Sequence, residues 1–144
     1  MKFVQRFAAA FAAVVTAMTF LVFPSSAAKV LEWDGKAELV SGNKYIVSSD
    51  LRVRDDFVIP EDAKIIVKDG ASMIIGLNVQ AQIYGELSAA IGGSITNSGD
   101  IVVEEGGQLN AYGEFLSSVS ATLKIKGAFS VYNHGSSKIS SVVS

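Results

Sequence analysis

The fold is decided by the stretch GELSAAIGGSITNSGDIVVEEGGQLNAYGEFLSSVSATLKIKGAF, residues 85–129. An apolar residue follows each glycine of this stretch after one or two intervening positions. Each unit of a repeat must bury its apolar face on the next, so the pattern predicts a stacked β-repeat. The glycines recur every seven residues, with Ser120 as the interruption, at Gly85, Gly92, Gly99, Gly106, Gly113 and Gly127.

The size of one coil follows from the charges. The sequence repeats best at fourteen residues, but a two-sided coil of that size would stack Glu86, Asp100 and Glu114. Stacked strands lie about 4.8 Å apart, and like charges directly opposite are destabilising. We therefore predict an all-β, single-stranded parallel β-helix (β-solenoid), three-sided with about 21 residues per coil, as three faces of seven residues require. A two-sided 14-residue coil and an antiparallel meander remain the alternatives.

Composition divides the chain into four segments. Residues 1–28 are predicted to be a cleaved signal peptide and residues 29–50 an N-terminal cap, with Trp33 covering the end of the core. Residues 51–132 alternate strand and turn signals and form the repeats. Residues 133–144 are polar and are predicted to form a short C-terminal cap or tail.

The signal peptide is predicted from charge and hydropathy. Lys2 and Arg6 precede an apolar run over residues 7–23, and small residues follow Pro24. This order is typical of a secretory leader, with cleavage before Ala28 or Lys29. An uncleaved anchor is the alternative, since about 17 residues is the short limit for a membrane span. We expect a secreted protein, extracellular or periplasmic, without a stable membrane anchor after cleavage.

Composition also limits the partners and cofactors. After removal of Lys2 and Arg6, ten basic residues face fourteen acidic ones, a net charge near −4. Such a chain lacks the basic surface that binds nucleic acid. The absence of cysteine excludes disulfides and thiolate metal sites. We expect no cofactor and no metal.

The stretch from Ile59 to Phe129 resembles the bacterial right-handed parallel β-helix proteins, the pectate-lyase-like solenoids of secreted enzymes and adhesins. The resemblance rests on the glycine series together with Pro60-Glu61-Asp62-Ala63-Lys64-Ile65-Ile66-Val67 and Asp69-Gly70-Ala71-Ser72-Met73. It implies an architecture and leaves the function open, because such folds host lyases, hydrolases, adhesins and spacers.

Polysaccharide cleavage is the sharpest enzymatic hypothesis, since such enzymes pair carboxylates or use an acidic calcium cluster. The candidates are Asp55-Asp56 beside Arg52 and Arg54, and Asn133-His134-Gly135 with Lys138. The two groups are many coils apart, and the short turns leave no cleft. We therefore expect no catalytic residues.

Two binding functions of solenoids are also disfavoured. Calcium-binding nonapeptides need an aspartate after the glycines, which Gly92-Gly93-Ser94-Ile95 and Gly106-Gly107-Gln108-Leu109 lack. Ice binding would require ranks of threonine, but the chain after residue 28 holds only Thr96 and Thr122.

Sugar binding without cleavage has better candidates. Tyr84 and Tyr112 occupy equivalent places in the repeat, each followed two residues later by a carboxylate, Glu86 or Glu114. Aromatic rings stack on sugars, although tyrosine also suits a half-exposed strand end. These four residues are the candidate glycan contacts.

The sequence thus predicts a secreted, non-catalytic β-solenoid with a structural or adhesive role at the cell exterior. A small carbohydrate-binding module is the alternative, and a degenerate polysaccharide lyase a remote one. The expected partners are extracellular polysaccharide or cell-surface components, and open ends of the array would permit end-to-end self-association.

Overall fold

The computed structural model describes residues 29–144, so the predicted signal peptide lies outside the described residues. These residues form a three-sided parallel β-solenoid of about five turns, made of sixteen short strands and no helix. Every strand pair is parallel, which confirms the predicted fold class and excludes the antiparallel meander.

The strands visit three sheets in strict rotation. Sheet 1 contains β1 (Val30–Glu32), β2 (Lys44–Val47), β5 (Lys64–Val67), β8 (Glu86–Ala89), β11 (Gln108–Ala111) and β14 (Ala128–Val131). Sheet 2 contains β3 (Leu51–Val53), β6 (Ser72–Ile75), β9 (Ser94–Asn97), β12 (Glu114–Ser117) and β15 (Ser136–Ile139). Sheet 3 contains β4 (Phe57–Ile59), β7 (Gln80–Ile83), β10 (Asp100–Val103), β13 (Thr122–Ile125) and β16 (Val142–Val143).

The three faces that the charges predicted are confirmed. Glu86 lies on sheet 1, Asp100 on sheet 3 and Glu114 on sheet 2, so none of them stacks on another. In register, Glu86 is flanked by Lys64 and Gln108, and its neighbours are therefore a cation and a neutral amide.

From β6 onward, coil length alternates because turns of two lengths alternate. Four-residue turns such as 90–93 and 104–107 are separated along the chain by two-residue turns such as 98–99 and 112–113. From β5 onward, the three corners of a coil therefore contain either two long turns and one short or the reverse. Thr122 accordingly follows its sheet partner Asp100 at a sequence separation of 22, whereas Ser117 follows its partner Asn97 at a separation of 20. The three turns from β4 to β7 are all long, and Phe57 and Ala81 are separated by 24 residues.

Alternate residues of each strand face the core. Leu87 and Leu109 stack in register with Phe129, and the first two are fully buried. This repeated inward stack gives a continuous apolar interior. Because the chain has no cysteine, its stability comes from this interior and not from disulfides.

Buried polar side chains at one corner are also paired. Asn97 is fully buried and donates to Ser117 Oγ at 3.2 Å and to the Thr122 carbonyl at 2.9 Å, while its Oδ1 accepts from the Gly99 amide at 3.1 Å. Ser117 in turn shares a hydrogen bond of 2.7 Å with Ser141. These bonds tie the corner between sheets 2 and 3 together across three coils.

The sheets extend into both flanking segments. β1 and β2 belong to sheet 1, although they fall within residues 29–50, and β15 and β16 extend sheets 2 and 3 into residues 133–144. Residues 33–40 leave the sheet path, and Trp33 is buried against Phe57 with ring centroids 5.0 Å apart.

Candidate functional site

The two candidate tyrosines lie at different corners of the solenoid. Tyr84 is in the two-residue turn from sheet 3 to sheet 1, and Tyr112 is in the turn from sheet 1 to sheet 2. The two tyrosines are equivalent in the fourteen-residue sequence repeat. A coil is longer than this repeat and has three corners rather than two, so equivalent residues of the repeat do not stack on each other. Tyr112 therefore lies one corner further around the coil than Tyr84. Sheet 1 therefore separates them, with one tyrosine at each of its sides.

The two candidate carboxylates are likewise on different faces. Glu86 lies on the outer side of sheet 1, between the two tyrosine corners. Glu114 begins β12 on sheet 2, beyond Tyr112. The structure thus brings Tyr84, Tyr112 and Glu86 to the borders and the outer side of one sheet, and places Glu114 elsewhere.

Glu86 is the centre of a hydrogen-bond network on sheet 1. Its Oε2 accepts from Ser88 Oγ at 2.6 Å and from Asn110 Nδ2 at 3.0 Å, and it forms a salt bridge of 3.2 Å with Lys64. Burial raises the pKa of Glu86, but the hydrogen bonds from Ser88, Asn110 and Lys64 outweigh burial and hold it below its usual 4.5. This carboxylate is ionised at neutral pH and already committed to neighbouring coils.

Tyr112 stacks on a tyrosine of the next coil. The rings of Tyr112 and Tyr132 have centroids 4.2 Å apart and planes within 6° of parallel. Interaction with the Tyr132 hydroxyl raises the pKa of Tyr112 above its usual 10.0. One ring face of Tyr112 is therefore occupied by Tyr132, and a ligand has access to the remaining surface of the pair.

Ile91, at the same corner one coil earlier, extends this aromatic surface. We call Ile91, Tyr112 and Tyr132 the aromatic corner; their exposed fractions are 59%, 38% and 42%. A groove of about 440 Å³ runs from Ile91 and Tyr112 onto sheet 1. Its remaining lining is Lys64, Ile66, Ser88 and Ala90, so it is apolar with a cation at one side.

Tyr84 lines a separate depression. This depression, of about 460 Å³, lies on the opposite side of sheet 1 and includes Lys64, Glu86 and Gln108. Glu61 and Asp62 of an earlier turn complete its rim, so it is more polar than the groove at the aromatic corner. Tyr84 and Tyr112 consequently contact different depressions that share Lys64.

The candidate catalytic groups are placed at opposite ends. Asp55 and Asp56 lie between β3 and β4 in an early coil, while His134 and Lys138 belong to the last one. The Asp56 carboxylate accepts a hydrogen bond from the backbone N–H of Gln80 at 2.8 Å, a contact between successive coils. Among residues 29–144, no three or more histidine or acidic side chains are grouped so that they could hold a metal ion.

The chain matches no protein-family model, no curated protein and no solved structure. The fold therefore defines its class, a three-sided parallel β-solenoid. Within the described part of the chain, no helix is long and apolar enough to cross a membrane.

Sequence reasoning missed most of the aromatic corner. Ile91 and Tyr132 align with Tyr112 only when the alternation of shorter and longer coils is known. The twenty-residue spacing of Tyr112 and Tyr132 was the available signal, but the seven-residue glycine series obscures it. The roles of Lys64 and Asn110 around Glu86 depend on the same register.

Proposed function

We propose that this protein is an exported, non-catalytic β-solenoid with a structural or adhesive role at the cell exterior. The observation that carries the proposal is the use of its acidic side chains. Most of those with a defined partner bond to a neighbouring coil, and they are thereby fixed along the faces of the solenoid. Acids of this kind, each followed by its partner, are Glu32 (Ser48), Asp50 (Ser72), Asp56 (Gln80), Glu86 (Lys64 and Asn110), Asp100 (Thr122) and Glu104 (Gln82 and Lys126).

These bonds stabilise the stack and reduce the chemical reactivity of its surface. Thr122 donates to Asp100 at 2.6 Å, and Lys126 contacts Glu104 at 3.1 Å. Hydrogen bonding to Lys126 lowers the pKa of Glu104, so this acid is not poised to donate a proton near neutral pH. A general acid of a glycosidase needs the opposite shift.

The shape of the described residues agrees with this role. From β5 onward the turns contain two or four residues, and none grows into a loop that could wall a cleft. Active sites on such folds usually need a concave pocket that excludes water. Flat faces with side chains repeated at each coil instead suit attachment to an extended surface, as in the adhesins that the glycine pattern resembles.

Export is tested with the leader. The full chain fused at its C-terminus to a reporter that is active only outside the cytoplasm should give signal in a bacterial host. The matched control replaces two apolar positions of the run, Val14 and Val15, with lysine and should retain the reporter inside. Equal signal from both fusions would contradict export through residues 1–28.

The non-catalytic role is tested on polysaccharides. We expect beads coated with the exported protein to adhere to cells or polysaccharide films, without release of reducing or unsaturated sugar ends. Release that depends on the protein and survives repeated purification would overturn the proposal. Loss of that release in Asp55→Asn or His134→Ala would then identify the responsible end of the solenoid.

Carbohydrate binding at the aromatic corner is the second candidate function. It is favoured by one observation, the exposed Tyr112–Tyr132 stack beside an open groove. Stacked aromatic rings offer a rigid apolar face for a sugar ring at low entropic cost. Glu86 Oε2 already accepts hydrogen bonds from Ser88 and Asn110 and pairs with Lys64, so we expect other groups to bind the sugar hydroxyls. Lys64 is the charged residue that lines the groove.

Affinity electrophoresis in gels containing plant or microbial polysaccharides tests this second function. We expect retardation of the native protein and less retardation of Tyr112→Ala/Tyr132→Ala. The matched control is Val119→Ala, at an exposed turn between sheets 2 and 3. Tyr84→Ala tests the polar depression separately. No retardation, or equal retardation of all variants, would remove carbohydrate binding at this corner while leaving the structural role intact.

A further inference from the structure

The first end of the solenoid is closed by the chain itself. Trp33 and Leu39 have exposed fractions of only 2% and 6%, and both belong to the buried core. Trp33 packs on Phe57, and its Nε1 donates to the Ala37 carbonyl at 2.8 Å. Residues 33–40 thus shield the inward side chains of the first coils from water.

The opposite end has no such cover within residues 29–144. Inward stacks that run through the core finish at four apolar residues, Phe129, Val131, Ile139 and Val143. The stack through Ile95 and Phe115 finishes instead at Ser137. Val131 and Val143 have exposed fractions of 44% and 49%, whereas Ala111 and Leu123, one coil earlier in the same stacks, are buried. We call these four terminal residues, with the edges of β14, β15 and β16, the C-terminal face.

The strand edges of this face carry hydrogen-bonding groups directed away from the solenoid. In a parallel ladder, alternate residues bond to opposite neighbours. Ser136 and Ser140 donate back to Gly113 and Ser117, so Ser137 and Ile139 direct their amides to the open side. The same alternation applies to Phe129 and Val131 on β14, because Ala128 and Tyr132 donate back to the preceding coil.

We propose that the C-terminal face binds the C-terminal face of a second copy of this chain, giving a closed twofold dimer. A partner must present strand edges around an apolar centre with the same triangular outline. The other end of this chain has the outline, but residues 33–40 cover its centre. The surface of this chain that fits the C-terminal face is therefore the same face of another copy.

The symmetry specifies which strands meet. A twofold axis perpendicular to the solenoid passes through one side of the triangle and the opposite corner. One edge strand then pairs with the same strand of the other copy. Each of the remaining two pairs with the other's counterpart, and all three pairs are antiparallel. Pairing β14 with β14 of the partner brings β15 opposite β16, which keeps Lys138 away from its copy.

Charge permits this contact. Residues 128–144 contain one lysine and no acidic residue, and β14 and β16 are uncharged. Natural edge strands usually carry charges or prolines that block such pairing. β14 and β16 have neither, so two of the three edges are unprotected.

Sedimentation equilibrium of the exported protein over a wide concentration range tests the proposal. We expect a monomer–dimer equilibrium that stops at two copies, with micromolar or weaker affinity because one end of a narrow solenoid is a small interface. A monomer at every concentration would overturn the proposal. Assembly beyond two copies would also overturn it. Such growth requires head-to-tail contacts between different ends of the solenoid, whereas a twofold contact between identical faces stops at a dimer.

Two independent variants locate the interface. Val131→Lys places a charge opposite its own copy on β14, and Val143→Lys places a charge opposite β15 of the other copy, which carries Lys138. We expect association at least about tenfold weaker in each variant. The matched control Val119→Lys adds the same charge at a residue 79% exposed elsewhere, and should dimerise normally. Circular dichroism and thermal melting show whether each variant folds. Equal association of the three variants would contradict the assigned face.

Spin labels on the cysteine-free chain give the geometry directly. Labels at Ser140→Cys, beside the C-terminal face, should show a short intermolecular distance that depends on concentration. Labels at Lys36→Cys, near the closed end, should lie about ten coil spacings of about 4.8 Å apart. A short distance between the labels at position 36 would reverse the assignment of the ends.

Discussion

Gly106 and Gly113 serve the same coil for different physical reasons. Gly106 has φ near +86°, but a Cβ built on it would contact nothing within 4 Å. A Cβ on Gly113 would lie 2.2 Å from the carbonyl oxygens of Ala90 and Gly93 in the preceding coil. Gly106 is required by its backbone conformation, and Gly113 by the closeness of the preceding coil.

These two glycines give the first prediction. Gly106→Ala should cost about 1–2 kcal/mol of unfolding free energy, the penalty for an L-residue in the left-handed region. Gly113→Ala should cost about 3 kcal/mol or more, because backbone carbonyls cannot move aside as a flexible side chain could. Denaturant unfolding followed by circular dichroism measures both. Equal costs would show that stacked coils can separate locally to admit a methyl group.

The glycine spacing alone could predict the turns but not these separate roles. In Gly92-Gly93 and Gly106-Gly107, the first glycine has positive φ and the second packs on the carbonyls of an earlier coil. The second role depends on which residue lies below, and this becomes visible only with the register. Asp62 and Asn78 occupy the positive-φ position without glycine, with φ of 64° and 66°. The seven-residue glycine pattern is therefore absent from that part of the chain.

At the scale of the sheet, the network around Glu86 links three strands of sheet 1. Lys64, Glu86 and Asn110 belong to β5, β8 and β11. The Lys64 bond joins partners in register, whereas Asn110, whose register partner is Ser88, reaches Glu86 diagonally. The pKa of Glu86 is lowered in the folded protein, so unfolding takes up a proton in acid. The stabilisation is fully present above the unfolded pKa and is lost as pH falls through the lower folded value.

The second prediction concerns Glu86→Gln. At pH 7 the variant should lose about 1 kcal/mol of unfolding free energy, a value reduced because Lys64 is partly exposed. The difference from the native protein should shrink as pH falls below about 4.5, and urea unfolding across pH 3–7 measures it. Glu114→Gln is the matched control, since Glu114 also begins its strand but forms no salt bridge among residues 29–144. A Glu86→Gln deficit that stays constant with pH would indicate a packing effect instead.

The sheets also show where sequence reasoning succeeds. Alternating turns of two and four residues make a fourteen-residue repeat along the chain. Each coil nevertheless contains three strands, one in every sheet. The three-sided coil was predictable, because stacking Glu86 on Asp100 would oppose like charges. The aromatic corner was not, since the sequence repeat aligns Tyr112 with Tyr84, whereas the coil aligns Tyr112 with Tyr132.

At the scale of the whole solenoid, residues 29–144 cover the core at the first end and supply no such cover at the other. Each coil contacts only its neighbours, so stability is nearly a sum of coil and interface contributions. An end coil has one neighbour and unfolds first unless something covers it. Residues 33–40 provide that cover at the first end, whereas at the other end Phe129 and Ile139 are only partly buried and Val131 is exposed.

The third prediction follows for Trp33. Hydrogen exchange of the native protein should be slowest in the middle coils and faster at β14–β16 than at β2–β4. Trp33→Ala should remove about 3–5 kcal/mol locally, the usual cost of truncating a buried aromatic residue. We expect faster exchange in β2–β4 and little change in β8–β11, measured by mass spectrometry of peptides, because neighbouring coils transmit the loss only partly.

Trp33→Phe distinguishes covering from hydrogen bonding at this end. Phenylalanine retains the contact with Phe57 but loses the bond from Nε1 to the Ala37 carbonyl. If covering the core is the main effect, this variant should keep most of the protection of β2–β4 that Trp33→Ala loses. Equal loss of protection in both variants would mean that this end is stabilised mainly by the hydrogen bond to Ala37, which holds residues 33–40 in place. Unchanged exchange in Trp33→Ala would mean that the first coil is stable without cover. Any difference in exchange rate between the two ends would then come from the properties of β15 and β16.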